Sequence, residues 1–195
     1  MLKKLSYLCP LLILLLSLNL KAQSCSPDSL ETREIRAKDT DSRISFELQK
    51  HFVYYNPSCI SKNTLLLHLV GTSDNTNSTK LFPSLAANHG FHAIVLKYPN
   101  NNGSARTNCG NSSDSNCYLN FRKETIEGVD YSTDINVDNV DCINNRLEKL
   151  LTHLNKQYPK ENWEQYLNGT QFNWSKIIIS GHSQGGGQGK QGYGP

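Results

Sequence analysis

The sequence predicts an α/β fold, with a mainly parallel sheet and flanking helices. Two nearly continuous apolar runs, at residues 65–70 and 91–96, are bounded by turn residues. Such runs are typical of strands that are buried on both faces of a sheet. A helix predicted at about 79–88 lies between them, and strand, helix and strand at this spacing form a βαβ unit with parallel strands. This helix is expected to bury an apolar stripe made of Leu81, Phe82, Leu85 and Ala86.

A third β-branched run, at residues 177–179, leads directly into Gly181-His182-Ser183-Gln184-Gly185. A Gly-x-Ser-x-Gly sequence after a strand is the arrangement in which a nucleophilic serine stands on a sharp strand-to-helix turn. The two glycines remove Cβ atoms that would collide in such a turn. We therefore predict Ser183 as a nucleophile. The predicted oxyanion donors are the backbone N–H of Gln184 and a backbone N–H of the loop after the strand at 65–70, at Gly71 or Thr72.

The partners of Ser183 are harder to find in the sequence. His182 adjoins Ser183, but adjacent residues at such a turn point in different directions, so we predict a packing role for His182. Asp74, Asp130 and Asp134 are each conceivable as a triad acid. In this arrangement, however, the acid and the histidine follow the serine in the chain, and no Asp, Glu or His follows Gly187.

The last residues, 188–195, alternate glycine with polar residues and end in proline. Glycine disfavours a helix by about 1 kcal/mol per residue relative to alanine. The composition therefore argues against a helix after the serine. We interpret this stretch as a truncated or frameshifted end.

The remaining elements complete one predicted domain over residues 44–187. Alternating apolar residues predict a strand at 44–48, and a β-rich run predicts another at 51–55. Apolar residues at three- and four-residue spacing predict a helix at 139–158. Residues 23–43 are polar and are expected to form an extended lead-in, and residues 101–138 form a long, Asn-rich loop.

The N-terminal residues, 1–22, have the pattern of a secretory signal peptide: Lys3 and Lys4, an apolar run at 11–18, and Ala22 before the cleavage point. The apolar run is too short for a stable membrane span, which takes about 20 residues. We therefore expect a secreted or periplasmic protein, with a lipoprotein anchored through Cys25 as the alternative. Removal of residues 1–22 leaves 17 basic and 17 acidic residues, and this balance gives no reason to expect a nucleic-acid partner.

Five cysteines remain after the signal peptide: Cys25, Cys59, Cys109, Cys117 and Cys142. The segment between Cys109 and Cys117 is too polar to be held together by burial, so we predict a local disulfide there. The pairing of the other three stays open. The scattered cysteines and histidines do not have the spacing of a zinc site, and we expect no metal and no cofactor.

Taken together, these residues resemble the N-terminal half of the α/β-hydrolase superfamily, most closely its secreted bacterial members. The resemblance covers about residues 44–187, and its most specific part is 181–187. The matching segments are 56–57, 65–72, 86–91, 96–100, 145–147, Trp174 and 181–187.

This resemblance implies a serine hydrolase of esterase, lipase or peptidase type, which acts on a small ester or acyl substrate through Ser183. Because the family carries its acid and histidine after the serine, we expect little or no turnover from this chain. The alternative is a non-catalytic secreted protein that binds a partner through the loop at 101–138.

Overall fold

The protein has a mixed α/β architecture in a computed structural model that describes residues 25–46 and 50–193. The predicted signal peptide lies outside these residues. The strands are β1 Glu31–Ile35, β2 His51–Tyr55, β3 Leu65–Leu69, β4 His92–Leu96, β5 Leu167–Asn168, β6 Gln171–Phe172 and β7 Ile177–Gly181. The α-helices are α1 Ala37–Thr40, α2 Leu81–Ala87, α3 Ala105–Cys109, α4 Cys117–Glu127, α5 Ile143–Gln157 and α6 Gln184–Tyr193. Short 3₁₀ helices lie at Pro27–Ser29, Thr76–Thr79, Pro159–Glu161, Trp163–Tyr166 and Trp174–Lys176.

Five strands form one sheet in the order β1-β2-β4-β3-β7. β3 runs parallel to β4 and to β7, and the connection from β3 to β4 through α2 is the predicted βαβ unit. β1 and β2 run antiparallel to their neighbours. The sheet therefore begins inside the predicted lead-in, where β1 pairs with β2.

The core lies on the central strands. All five residues of β3 and all five of β4 are buried. Since side chains alternate between the two faces of a strand, both faces of this part of the sheet are covered. The predicted strands at 51–55, 65–70, 91–96 and 177–179 are confirmed as β2, β3, β4 and β7.

The strand predicted at 44–48 is wrong for its described residues. Residues 44–46 belong to no strand, although Ile44 is fully buried. The backbone N–H groups of Ser45 and Phe46 donate to the carboxylate of Asp141, at 3.2 and 3.1 Å. A side chain thus takes the hydrogen bonds that a strand ladder would have used.

The stripe predicted for α2 is also wrong. Leu81, Phe82 and Leu85 are 74%, 53% and 49% exposed. The helix has only seven residues and buries Pro83 and Ala87, which lie one turn apart.

The segment at 101–138 is more ordered than a long polar loop. It contains α3 and α4, joined by a disulfide between Cys109 and Cys117 as predicted. After α4, the buried carboxylate of Glu124 accepts backbone N–H groups from Tyr131, Ser132 and Val137 at 2.9–3.1 Å. One buried side chain therefore organises the return of the chain toward α5.

The predicted helix at 139–158 exists but begins at Ile143, with Cys142 as its N-cap. The Asp138 carboxylate accepts the N–H groups of Val140 and Asp141 at 3.0 and 2.8 Å, which forms a turn where the helix was predicted to start. Cys142 is buried and free, whereas Cys25 and Cys59 form the second disulfide. Cys25 is the residue of the lipoprotein alternative, and its sulfur lies in this second disulfide.

A buried ion pair joins α5 to the sheet. The Arg146 guanidinium is fully buried and donates to the Asp141 carboxylate, to the Lys97 carbonyl and to the Phe46 carbonyl. Burial opposes ionisation of Asp141, but hydrogen bonds from Ser45, Phe46 and Arg146 outweigh it and lower the pKa of the carboxyl. The Arg146 side chain therefore connects the start of α5 with the segment at 45–46 and with the residue after β4.

We expect Asp141→Asn to destabilise the protein by about 3–5 kcal/mol, because it leaves the buried Arg146 charge without a counter-charge. Glu34→Gln is the matched control, since Glu34 pairs with Lys50 at 3.2 Å on the surface and such pairs contribute about 0–1 kcal/mol. Urea unfolding at pH 7 measures both values. Equal effects would contradict the role assigned to the buried pair.

Buried histidines make stability depend on pH, and the largest pKa shifts are those of His51 and His92. Burial lowers the pKa of His51 to about 3 and that of His92 to about 4, from 6.5, with smaller contributions from nearby arginines. Well above pH 6.5, His51 and His92 are neutral in both the folded and the unfolded protein. As the pH falls below 6.5, these histidines become protonated in the unfolded protein but stay neutral in the folded protein. The free energy of unfolding therefore decreases until the pH reaches the folded pKa values.

We expect the free energy of unfolding to fall between pH 6.5 and 4, by up to about 1.4 kcal/mol per pH unit for each histidine. His92→Gln should reduce this slope, and the exposed His89 provides the control variant His89→Gln, which should not. Urea titrations across the range measure the slope. An unchanged slope in His92→Gln would refute the assignment.

Candidate functional site

Ser183 lies on the turn between β7 and α6, at the carboxyl end of the parallel strands. It is exposed and has a φ of 51°. Non-glycine residues rarely adopt this left-handed conformation, and such backbone strain is concentrated at functional sites. The serine of the Gly-x-Ser-x-Gly sequence thus has the strained backbone that the sequence predicts.

The flanking glycines are required by close backbone contacts. A Cβ at Gly181 would lie 2.4 Å from the Gly185 carbonyl carbon. A Cβ at Gly185 would lie 2.1 Å from the Leu69 carbonyl oxygen, at the end of β3. Neither contact is possible for a real Cβ, so the turn packs against itself and against β3 only with glycine at both positions.

The predicted oxyanion donors lie on two adjoining segments. Gln184 begins α6, and the first N–H groups of a helix have no partner inside it. The Thr72 hydroxyl donates to the Gln184 side-chain carbonyl, which joins the loop after β3 to the turn. In the described part of the chain, the backbone N–H groups of Gln184 and Thr72 have no acceptor, whereas the Gly71 N–H donates to Asp74 at 3.1 Å. Thr72 is therefore the better placed of the two predicted loop donors.

His182 does not have the packing role that we predicted. Its side chain is 67% exposed, and its Nδ1 lies 2.7 Å from Oδ2 of Asp74. The same Asp74 oxygen accepts the Gly71 N–H. The pair therefore connects the turn to the loop at 71–74, a contact between residues 108 positions apart that no sequence spacing indicates.

No described residue forms a hydrogen bond with the Ser183 hydroxyl. His182 contacts Asp74 through Nδ1 and forms no hydrogen bond with Ser183, Asp134 accepts from the Ser112 hydroxyl at 3.0 Å, and Asp130 is exposed. The site thus brings Ser183, Gln184, Thr72, His182 and Asp74 together. Among the described residues, no side chain is hydrogen-bonded to the serine as a general base.

A second histidine lies beneath the turn. His68, on β3, has its Nδ1 2.9 Å from the Ser180 hydroxyl on β7, and it is buried. Burial lowers the pKa of His68, and the nearby His182 lowers it further. A neutral His68 therefore connects the ends of β3 and β7 without adding charge to the site.

Three other kinds of feature are relevant to the rest of the described chain: a metal site, a cleft and a membrane span. Within the described ranges, no group of three His, Cys, Asp or Glu side chains has the geometry of a metal site. A cleft of about 560 Å³ is lined by residues of α4, α5 and the β5–β6 hairpin, and Ser183 is not among them. Over the same residues, no helix has the length and apolar character needed to cross a bilayer.

Comparison of the sequence with protein-family models and with curated proteins finds no match. The family resemblance therefore depends on the residues quoted above alone.

We expect Gly185→Ala to destabilise the protein by about 3 kcal/mol, the upper end of the range for overpacking, because its Cβ would meet the rigid backbone of Leu69. Gly169→Ala is the control, with a φ of 65° but no atom within 4 Å of the new Cβ, and should cost about 1–2 kcal/mol. Urea unfolding compares them. A Gly185→Ala variant as stable as the control would contradict the close contact.

Proposed function

We propose that this protein is a secreted serine hydrolase of α/β-hydrolase type, in which Ser183 attacks a small ester or acyl substrate. The observation that carries the proposal is the φ of 51° at Ser183, between a parallel strand and a helix. A strained, exposed serine at the carboxyl end of a parallel sheet is the geometry of a nucleophile elbow.

The proposed reaction is acyl transfer. The Ser183 oxygen attacks the carbonyl carbon, the carbonyl π electrons move to its oxygen, and the hydroxyl proton passes to water. The N–H groups of Gln184 and Thr72 stabilise the resulting oxyanion, because donors fixed before the reaction need not reorganise. The carbonyl then re-forms as its bond to the leaving group breaks, and the leaving group takes a proton from the hydronium ion. Water next attacks the carbonyl of the acyl-enzyme, which releases the carboxylic acid and restores the Ser183 hydroxyl.

We expect this reaction to be slow. Since no described residue accepts the Ser183 proton, the serine is held in position but is not activated. A serine site that lacks part of its triad retains about 10³–10⁴-fold acceleration over water, from the oxyanion hole and substrate binding. Weak turnover is therefore the expected behaviour.

Secretion is supported by the cysteines. Disulfides between Cys25 and Cys59 and between Cys109 and Cys117 persist in oxidising compartments. The disulfide at Cys25 also favours a cleaved signal peptide over a lipid anchor. The binding-protein alternative would use the segment at 101–138, whose last part is organised around its own buried Glu124.

We expect a fluorophosphonate to add slowly to the folded protein at Ser183, with formation of an O–P bond and release of fluoride. Intact-mass spectrometry and peptide mapping measure the adduct. Ser183→Ala should abolish it, and Ser175→Ala, at an exposed serine before β7, should not. An absence of adduct on folded wild-type protein, or equal labelling of Ser183→Ala, would sink the proposal.

A further inference from the structure

The loop at 71–74 must be held in place if the Thr72 N–H is to act on an oxyanion. Donors in such a site are effective only within about 0.5 Å of their productive position. This loop lies between β3 and the 3₁₀ helix Thr76–Thr79 and forms one turn, in which the Asp74 N–H donates to the Gly71 carbonyl at 3.1 Å. This internal bond fixes the shape of the turn, whereas its position relative to Ser183 is set by contacts from elsewhere in the fold.

Asn100, just after β4, supplies most of these contacts. Its side chain is fully buried, and its Nδ2 donates to the carbonyls of Gly71 and Asp74. Its backbone carbonyl accepts the Ser73 N–H at 2.8 Å. Two residues earlier, the Tyr98 hydroxyl donates to the Val70 carbonyl at 2.6 Å. The chain after β4 thus forms hydrogen bonds with the residues on both sides of Thr72, and we call this set of hydrogen bonds the grip.

The orientation of the Asn100 amide decides whether this grip exists. If the amide were flipped, its oxygen would face the Gly71 and Asp74 carbonyls, and acceptors would face acceptors. Lys97 excludes that orientation. Its Nζ donates to Asn100 Oδ1, and because an ammonium group has donors only, it requires the oxygen at that position.

Lys97 is unusual for a residue with a purely structural role. It is 2% exposed and forms no ion pair with any described carboxylate. Burial, together with the Arg146 charge, lowers the pKa of Lys97 to about 8 against the opposing effect of the Asp74 charge. A buried ammonium that lacks a direct ion pair is costly, and the hydrogen bond to Asn100 is the only one that its Nζ forms with the described residues.

We propose that Lys97 is a positioning residue, which fixes the Asn100 amide and through it the oxyanion loop at 71–74. This inference rests on the proposed function of Ser183, but the grip itself is measurable without any reaction. It assigns a role to a residue that has no hydrogen bond with Ser183 among its described contacts.

The test compares Lys97→Met with Lys149→Met in the oxidised protein. Methionine keeps an unbranched side chain that matches lysine as far as Cε, and it removes the ammonium donor. Lys149 is a partly exposed lysine on α5, paired with Glu148 far from the loop, and controls for the loss of a lysine. Asn100→Asp is a second test variant, because its carboxylate still accepts from Lys97 but has no N–H for the two carbonyls.

Two measurements are made on each variant. Hydrogen exchange of the Ser73 N–H reports the grip directly. Saturation kinetics of fluorophosphonate labelling separate the affinity for the probe from the rate constant of the bond-forming step. We expect the Ser73 N–H to exchange faster in Lys97→Met. The rate constant of bond formation should fall roughly 10- to 100-fold while the affinity for the probe stays unchanged, because the loop acts on the transition state. The thermal midpoint should fall too little to explain this loss of labelling rate.

The outcomes separate the two proposals. If wild-type protein takes no label, the proposed function fails, and Ser73 exchange still decides the role of Lys97. If Lys97→Met matches wild type in both exchange and labelling, the positioning role is overturned. A loss of thermal stability that accounts for the whole loss of labelling would also overturn it, because it would show a structural residue only.

Discussion

The contact between the end of β3 and the turn after β7 is the constraint on which the candidate site depends. Leu69 pairs with Gly181 in the sheet, and its carbonyl accepts the His182 N–H at 3.1 Å. A Cβ on Gly185 would lie 2.1 Å from the oxygen of the same carbonyl. This approach brings the loop after β3 beside the serine, so the hydroxyl of Thr72 reaches the Gln184 side chain.

Three parallel strands each contribute one part at their carboxyl ends. β3 provides the loop at 71–74, β4 is followed by Asn100, and β7 is followed by the turn with Ser183. Sites form at this edge in open α/β sheets because the connections that leave neighbouring strands meet there. The loop is consequently held from two sides, by Asn100 and by the Asp74–His182 pair.

The sequence is sufficient to predict the central strands and the turn. β3 and β4 are buried on both faces, which makes their apolar runs continuous, and the spacing of Gly181, Ser183 and Gly185 follows from steric contact. The contacts of Asp74, Asn100 and His182 join residues 26 to 108 positions apart and leave no local pattern. The face of α2 was mispredicted because a helix of seven residues is fixed by its neighbours more than by its own periodicity.

The composition argues against a helix after the serine, yet α6 lies there, because tertiary packing outweighs the low helix propensity of glycine at a cost in stability. It has ten residues, Gln184–Tyr193, of which five are glycines that each disfavour a helix by about 1 kcal/mol. The glycines allow a close approach: a Cβ at Gly187 would lie 3.0 Å from Arg122, and one at Gly189 2.9 Å from Ile179. Gln188 is fully buried with no partner for its amide among the described residues, a further cost of about 1–3 kcal/mol. The N–H of Gln184, the first residue of this helix, is one of the two proposed oxyanion donors, so the precision with which it is held depends on the stability of α6.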